Sequence, residues 1–242
     1  SINCSQPCQM GFYCTNTSVN ICPAGTYQSG VGMTEIQNCS LCAAGTFSKN
    51  VAASSSATCT MCGAGKFWTG LGATNHSECS LCQAGKYQTG VGMTEENSCV
   101  LCNPGMYQTG DGMTEKDRCT ACQLGTYETA GGATDVNECK TCSTGSFCKG
   151  GGAIPCPNGT YQSGSGMIDV SNCTQCNAGS YSTAVGASAD GACIACEPGT
   201  FQTAAGAIDK LSCSFCPVGT YQTGAGMPHN VSCKLCEPGK YQ

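Results

Sequence analysis

The sequence predicts small disulfide-rich repeats: an elongated rod or solenoid of short β-hairpin loops with little or no helix. Three observations lead there. Of 242 residues 26 are Cys, about 11%, above the roughly 8–10% that marks a disulfide scaffold. Leu, Ile, Val and Phe number 7, 7, 10 and 6, about 12% of the chain against the roughly 20% below which no sizeable apolar core forms. Disorder usually accompanies so few apolar residues, but it goes with high net charge; here 10% of residues are charged and the net charge is −5. The third observation is a period. Cys39, Cys59, Cys79, Cys99, Cys119 and Cys139 stand 20 residues apart, and Cys173, Cys193, Cys213 and Cys233 resume the spacing. Self-similarity of this kind marks a repeat architecture.

Taken in order, the chain reads as a short cysteine unit (1–22), six 20-residue cysteine-rich repeats (22–142), a second short unit (142–156), four more repeats (156–236) and a truncated stub (236–242). The two short units share the spacing C-x5-C-x7-C-P, at Cys8, Cys14 and Cys22 and again at Cys142, Cys148 and Cys156. The stub stops in mid-repeat, as expected for part of a longer repetitive chain. The start at Ser1, without an apolar leader, fits a mature secreted product or an excised fragment.

Each position in a repeat has a physical task. The Gly three after Cys (Gly25, Gly45, Gly65, through Gly239) recurs in every copy, which points to positive φ or close backbone approach. The aromatic two further on (Tyr27, Phe47, Phe67, Tyr87 and onward) is the one large side chain per repeat. It is expected to form a mini-core with the neighbouring disulfide and with the Met or Ala after the second Gly, such as Met33 or Ala133. Repeats of this kind are expected to contact only their neighbours.

C-x2-C pairs also match zinc-site spacing. Against zinc stand only two His (His76, His229), an unbroken ladder instead of paired knuckles, and seven N-x-[ST] sequons at Asn3, Asn16, Asn38, Asn75, Asn158, Asn172 and Asn230. Sequons imply a secretory route, where thiols oxidise. Redox catalysis needs one activated pair on a thioredoxin-like scaffold. Structural disulfides are therefore expected, with no metal and no cofactor.

Two regular pairings are open. One closes each long loop: Cys22–Cys39, Cys42–Cys59, Cys62–Cys79, Cys82–Cys99, Cys102–Cys119, Cys122–Cys139, Cys156–Cys173, Cys176–Cys193, Cys196–Cys213 and Cys216–Cys233, with Cys8–Cys14 and Cys142–Cys148 in the short units. Cys4 and Cys236 are then left for an inter-subunit bond or a continuing chain. The other pairs within each C-x2-C and leaves the loops open. Closing a loop of about 16 residues stabilises by roughly 3 kcal/mol, which favours the first.

The phrases C-P-A-G-T-Y (Cys22 to Tyr27), C-P-V-G-T-Y (Cys216 to Tyr221) and C-E-P-G-K-Y (Cys236 to Tyr241) resemble the ephrin-receptor-like cysteine-rich repeats of surface proteins. More distantly, they are similar to the first module of tumour-necrosis-factor-receptor repeats. The resemblance covers nearly the whole chain and implies rods of disulfide-closed hairpin loops. The departure is one loop-closing cystine per repeat instead of six-cysteine receptor modules.

Other signals have plain readings. Gly-x-Gly steps such as Gly30/Gly32 and Gly90/Gly92 precede no helix, and Ala130, Ala184 and Ala204 replace the first Gly elsewhere, so turns are expected, not phosphate cradles. The recurring carboxylates Glu35, Glu95, Glu115, Asp135, Asp169 and Asp209 supply one per repeat, far short of the 6–8 oxygens Ca²⁺ takes; a solvated face or local turn capping is the expectation. Trp68 reads as extra packing or a sugar-stacking face. One Arg (Arg118) and nine scattered Lys give no basic stripe for nucleic acid, and no apolar run spans a membrane. No nucleophile–base pairing rises above background, so no enzyme is expected. The expected function is an extracellular or cell-surface glycosylated structural protein that builds a fibre, appendage or coat. Its partners are copies of itself, head-to-tail or lateral, with N-linked and O-linked glycans. The alternative is the stalk or ectodomain of a receptor, adhesion protein or surface antigen.

Overall fold

A computed structural model describes residues 7–240. Each long repeat folds the same way. After its first Cys the chain makes a tight turn with the recurrent Gly at positive φ, +79° at Gly25. The Thr26 hydroxyl closes this turn by donating to the Pro23 carbonyl at 2.7 Å. A two-residue strand follows and pairs with one just after the repeat's second Cys: Thr26–Tyr27 with Ser40–Leu41, and Thr46–Phe47 with Thr60–Met61. The last such pair is Thr220–Tyr221 with Lys234–Leu235. The only helical segments among the described residues are three-residue 3-10 turns before the second Cys, as at Ile36–Asn38 and His76–Glu78. The short units make longer hairpins, Phe12–Cys14 with Val19–Ile21 and Ser146–Lys149 with Gly152–Pro155. All sheets here are two-stranded and antiparallel, and such a hairpin is marginal in water by itself.

Covalent closure supplies what the hairpins lack. Ten disulfides join half-cystines 17 residues apart, from Cys22–Cys39 to Cys216–Cys233. Cys8–Cys14 and Cys142–Cys148 close six-residue steps in the short units. No bond forms within a C-x2-C.

The chain divides into two compact bodies, Ser1–Thr120 with Gly131–Val136 and Ala121–Ala130 with Asn137–Gln242. In the first, three backbone rungs join each repeat to the next. Ala52 N–H donates to the Cys22 carbonyl (2.9 Å), Gly25 N–H to Ser48 (2.7 Å) and Gln28 N–H to Ala53 (2.9 Å). The second body repeats the pattern, with Gly186 to Cys156, Gly159 to Ser182 and Gln162 to Ala187. These rungs use only backbone groups, so they tolerate wide side-chain variation.

Contact does not stop at the neighbour, contrary to the sequence expectation. A Cβ at Gly25 would stand 2.1 Å from the carbonyl oxygen of Gly72, two repeats on. Gly45 faces Gly92 and Gly65 faces Gly112 at 2.2 Å in the same sense, and Gly179 faces Gly226 at 2.1 Å. The recurrent Gly is thus required twice over, by positive φ and by a backbone pressed against its α-carbon. The spacing within one repeat cannot reveal this, because the touching atoms lie 47 residues apart.

In each body the core is sulfur and alanine. Cys22, Cys42, Cys62, Cys82, Cys142, Cys156, Cys176 and Cys196 are fully buried, joined by Ala53, Ala73, Ala133, Ala187 and Ala207. The aromatics are mostly half-buried and bridge to the next repeat by parallel backbone pairing, Phe47 with Ala73 and Tyr87 with Met113. Phe147 is the buried one, packed on the Cys156–Cys173 pair and Met167.

The alternation of Gly and Ala at the first Gly-x-Gly position has a steric cause. Where the residue three later is Met, its Cε fills the space a Cβ would need: 2.5 Å at Gly30 from Met33, 2.6 Å at Gly90 from Met93 and 2.5 Å at Gly224 from Met227. Where that residue is Ala, as in Ala130/Ala133 or Ala184/Ala187, the space is free for a methyl group. Gly70 precedes Ala73 but lies under the Trp68 ring, 2.7 Å from a Cβ site. Gly90→Ala is expected to destabilise by about 1 kcal/mol, with Met93→Ala recovering much of that loss. A double-mutant cycle of denaturation midpoints reads the coupling; additive effects would refute the pairing.

Ala52 occupies the second Gly position of its repeat and is the only non-glycine residue with positive φ (+50°) among the described residues. The left-handed region costs a residue with a Cβ about 1 kcal/mol, so Ala52→Gly is expected to raise stability by that amount in guanidinium unfolding. A loss of stability would contradict the backbone assignment.

Candidate functional site

Among the described residues no group of three or more His, Cys, Asp or Glu is placed to hold a metal ion. The recurring carboxylates sit instead at the N-caps of the 3-10 turns. Asp169 accepts from Ser171 N–H at 3.0 Å and Asp209 from Ser212 N–H at 3.1 Å, while Glu35 and Glu95 hold the same cap position. Asp135 makes further interactions. The Ser171 backbone N–H, then its hydroxyl, lowers the Asp169 pKa below the ordinary carboxylate value. Glu78, bonded first by the Thr74 hydroxyl and then by its N–H, is lowered likewise. A lowered carboxylate stabilises the fold above its unfolded value, and that contribution fades as pH falls through the shifted one. Both groups cap turns, and Lys149 adds a smaller electrostatic pull on Asp169.

The sequons divide by local structure. Asn16, Asn38, Asn75 and Asn230 are exposed and Asn158 and Asn172 half-buried; Asn3 lies outside the described residues. Asn75 is itself an N-cap, accepting from Ser77 N–H at 3.2 Å. Asn38 accepts from Glu35 N–H at 3.1 Å, and Asn172 from Ile168 and Asp169 at 3.2 and 3.1 Å. In both of the latter the next residue is a half-cystine, Cys39 or Cys173. The Cys236 thiol is free and half-buried; Cys4 lies outside the described residues.

The sequence reading left one recurring position without a role: the residue after the aromatic. Gln28, Ser48, Gln88, Gln108, Gln162, Ser182 and Gln222 are buried polar side chains in a protein with few buried groups. The amide oxygens of Gln88 and Gln162 accept from the N–H two residues on, at 2.6 Å from Gly90 and Gly164, whereas those of Gln108 and Gln222 accept from Gly85 and Gly199 of the preceding repeat. Gln88 Nε2 donates to the Ser98 carbonyl and Gln162 Nε2 to that of Asn172. The side chain therefore ties the Gly-x-Gly turn to the 3-10 turn beneath it. Recurrence of Tyr-Gln was the available signal, but Gln is usually exposed. At Trp68 the column changes character, and its buried Nε1 lacks a partner, as does Gln28 Nε2. Gln88→Met strands two backbone groups and is expected to cost about 1–3 kcal/mol in denaturant unfolding. Gln28→Met removes an unpaired donor as well and is expected to cost clearly less; equal losses would refute the assignment.

Chemically, this arrangement offers a stacked backbone surface. The family model described as tyrosine-protein kinase ephrin type A/B receptor-like matches residues 31–79 and 187–226, a little over a third of the chain. Together with the disulfide-closed hairpins, the matches identify ephrin-receptor-like cysteine-rich repeats. No curated protein matches the chain.

Proposed function

We propose that this chain of ephrin-receptor-like cysteine-rich repeats is a non-enzymatic, glycosylated extracellular structural protein. In this reading it extends into a fibre, appendage or coat by repeat stacking and head-to-tail assembly. One observation carries the reading: most rungs between repeats pair backbone with backbone, from Cys22 and Gly25 in the first body to Gly186 and Gln162 in the second, with a side-chain acceptor at a few, such as Gln222 Oε1 for Gly199 N–H. Any repeat with the same turns fits onto any other, whether it comes from this chain or a second copy. A head-to-tail contact that does not close generates a filament. The disulfides suit an oxidising exterior, and the exposed sequons leave room for a glycan sheath around a protein with little charge.

The second reading, the stalk or ectodomain of a surface receptor, adhesion protein or antigen, is favoured by the receptor-like description of the matching family. Electron microscopy of native, non-reduced material separates the two. Continuous filaments with a regular axial repeat support assembly. Discrete particles, or particles rooted in membrane, overturn it in favour of the ectodomain.

A further inference from the structure

The first compact body carries an apolar stripe that the repeats from Ala121 to Ala195 interrupt. Its two columns lie just before the first Cys of each repeat (Ile21, Leu41, Met61) and at the middle of the Gly-x-Gly step (Leu71, Val91) or of its Asn50-Val51-Ala52 equivalent (Val51). All six are 49–62% exposed. Stacking brings the columns together: a Cβ on Gly72 would lie 2.6 Å from Leu41 Cδ2, and one on Gly92 3.3 Å from Met61 Cγ. Leu41 and Leu71 share a shallow groove of about 700 Å³.

The stripe is not a general consequence of the fold. At Asp111 the second column turns acidic, and it continues as Gly131, Ser165, Ala205 and Ala225 with Val185 the one large residue. The first column continues as Leu81 and Leu101, then as Ala121, Thr141, Pro155, Gln175 and Ala195, and ends in the exposed Phe215 and Leu235. Between Ala121 and Ala195 the same backbone therefore carries mostly polar or small residues.

We propose that this stripe is the lateral contact with a second copy of the chain, the two stripes packing along their length. The occupant follows from spacing and area. The apolar positions recur once per repeat, so a surface matching them continuously must carry the same period, as the stripe itself does. Six half-exposed aliphatic side chains, on the order of 80 Å² each, offer roughly 500 Å² of apolar surface per copy. That is the apolar share of the ~800 Å² per partner buried in a standard interface. Asp111 interrupts the second column with a charge that is costly to bury, while Leu81 and Leu101 carry the first column past it.

The inference deepens the assembly reading by naming its lateral contact, and its test is separate. Sedimentation velocity of the full disulfide-bonded chain, enzymatically deglycosylated, is expected to show a concentration-dependent doubling of mass. Met61→Asp with Leu71→Asp should return it to monomer, with circular dichroism and thiol count unchanged, whereas Val185→Asp should leave the dimer intact. A monomer at all concentrations overturns the proposal; so does a dimer that survives the double substitution or is lost equally with Val185→Asp. Cys236→Ser tests the head-to-tail reading independently. An end-to-end link through that thiol disappears on non-reducing gels, while a stripe-mediated dimer persists in sedimentation.

Discussion

Gly45→Ala is expected to cost about 2–5 kcal/mol, among the largest losses any single methyl group can cause in this protein. Two terms add. At φ +75° a Cβ brings about 1–2 kcal/mol of left-handed strain. It would also stand 2.2 Å from the carbonyl oxygen and 2.7 Å from the carbonyl carbon of Gly92. That is backbone, which cannot rotate aside, so overpacking adds about 1–3 kcal/mol. Gly219 separates the terms: its φ is +81°, yet nothing lies within 4 Å of its Cβ site. Gly219→Ala should therefore cost the strain alone. Denaturation midpoints rank the two variants, and hydrogen exchange locates the damage, with Gly45→Ala raising exchange at Gly72 and Gly92. Equal effects would contradict contact between a repeat and its next-but-one neighbour.

The second large effect follows from removing a cystine. Cys62→Ser with Cys79→Ser opens a loop whose closure stabilises by roughly 3 kcal/mol, and it adds two polar groups where Cys62 is fully buried and Cys79 nearly so. Domain stabilities are only about 5–15 kcal/mol in total, so a few such losses exceed them. Reduction of the twelve disulfides of the described residues is expected to unfold the chain, with loss of near-ultraviolet dichroism and expansion in small-angle scattering. Chelators should leave it folded. A reduced chain that kept its native dichroism would mean that burial of Ala73, Ala133 and their like suffices without covalent closure.

Much of this was legible in the sequence because it is local. Each Gly after Cys announced a turn, the Tyr or Phe two later marked a strand, and loop entropy favoured the bonds from Cys22–Cys39 onward. The carboxylates at Glu35, Asp169 and Asp209 read as a solvated face or turn caps because one oxygen pair per repeat is too few for calcium. What stayed hidden depends on stacking. Nothing near Gly25 shows that Gly72 presses on it, since their meeting depends on the rise and rotation between repeats. Gln88 joins the turn at Gly90 to Ser98, a role that no single repeat's sequence displays. The exchange of Gly90 for Ala130 acquires its cause only from Met93, which fills the space. The stripe from Ile21 to Val91 was written in the sequence, but its two columns lie far apart in each repeat and meet only through stacking.

A peptide map under non-reducing conditions tests the account at its centre, because the cross-repeat rungs depend on each loop being closed as it is. Proteolysis at Lys49, Lys66, Lys86 and Arg118, followed by mass spectrometry, is expected to recover Cys42 linked to Cys59, Cys62 to Cys79 and Cys102 to Cys119. Cys236 is the free thiol expected among the described residues. Bonds within a C-x2-C, such as Cys59 to Cys62, or a large count of reactive thiols with bound metal, would contradict it.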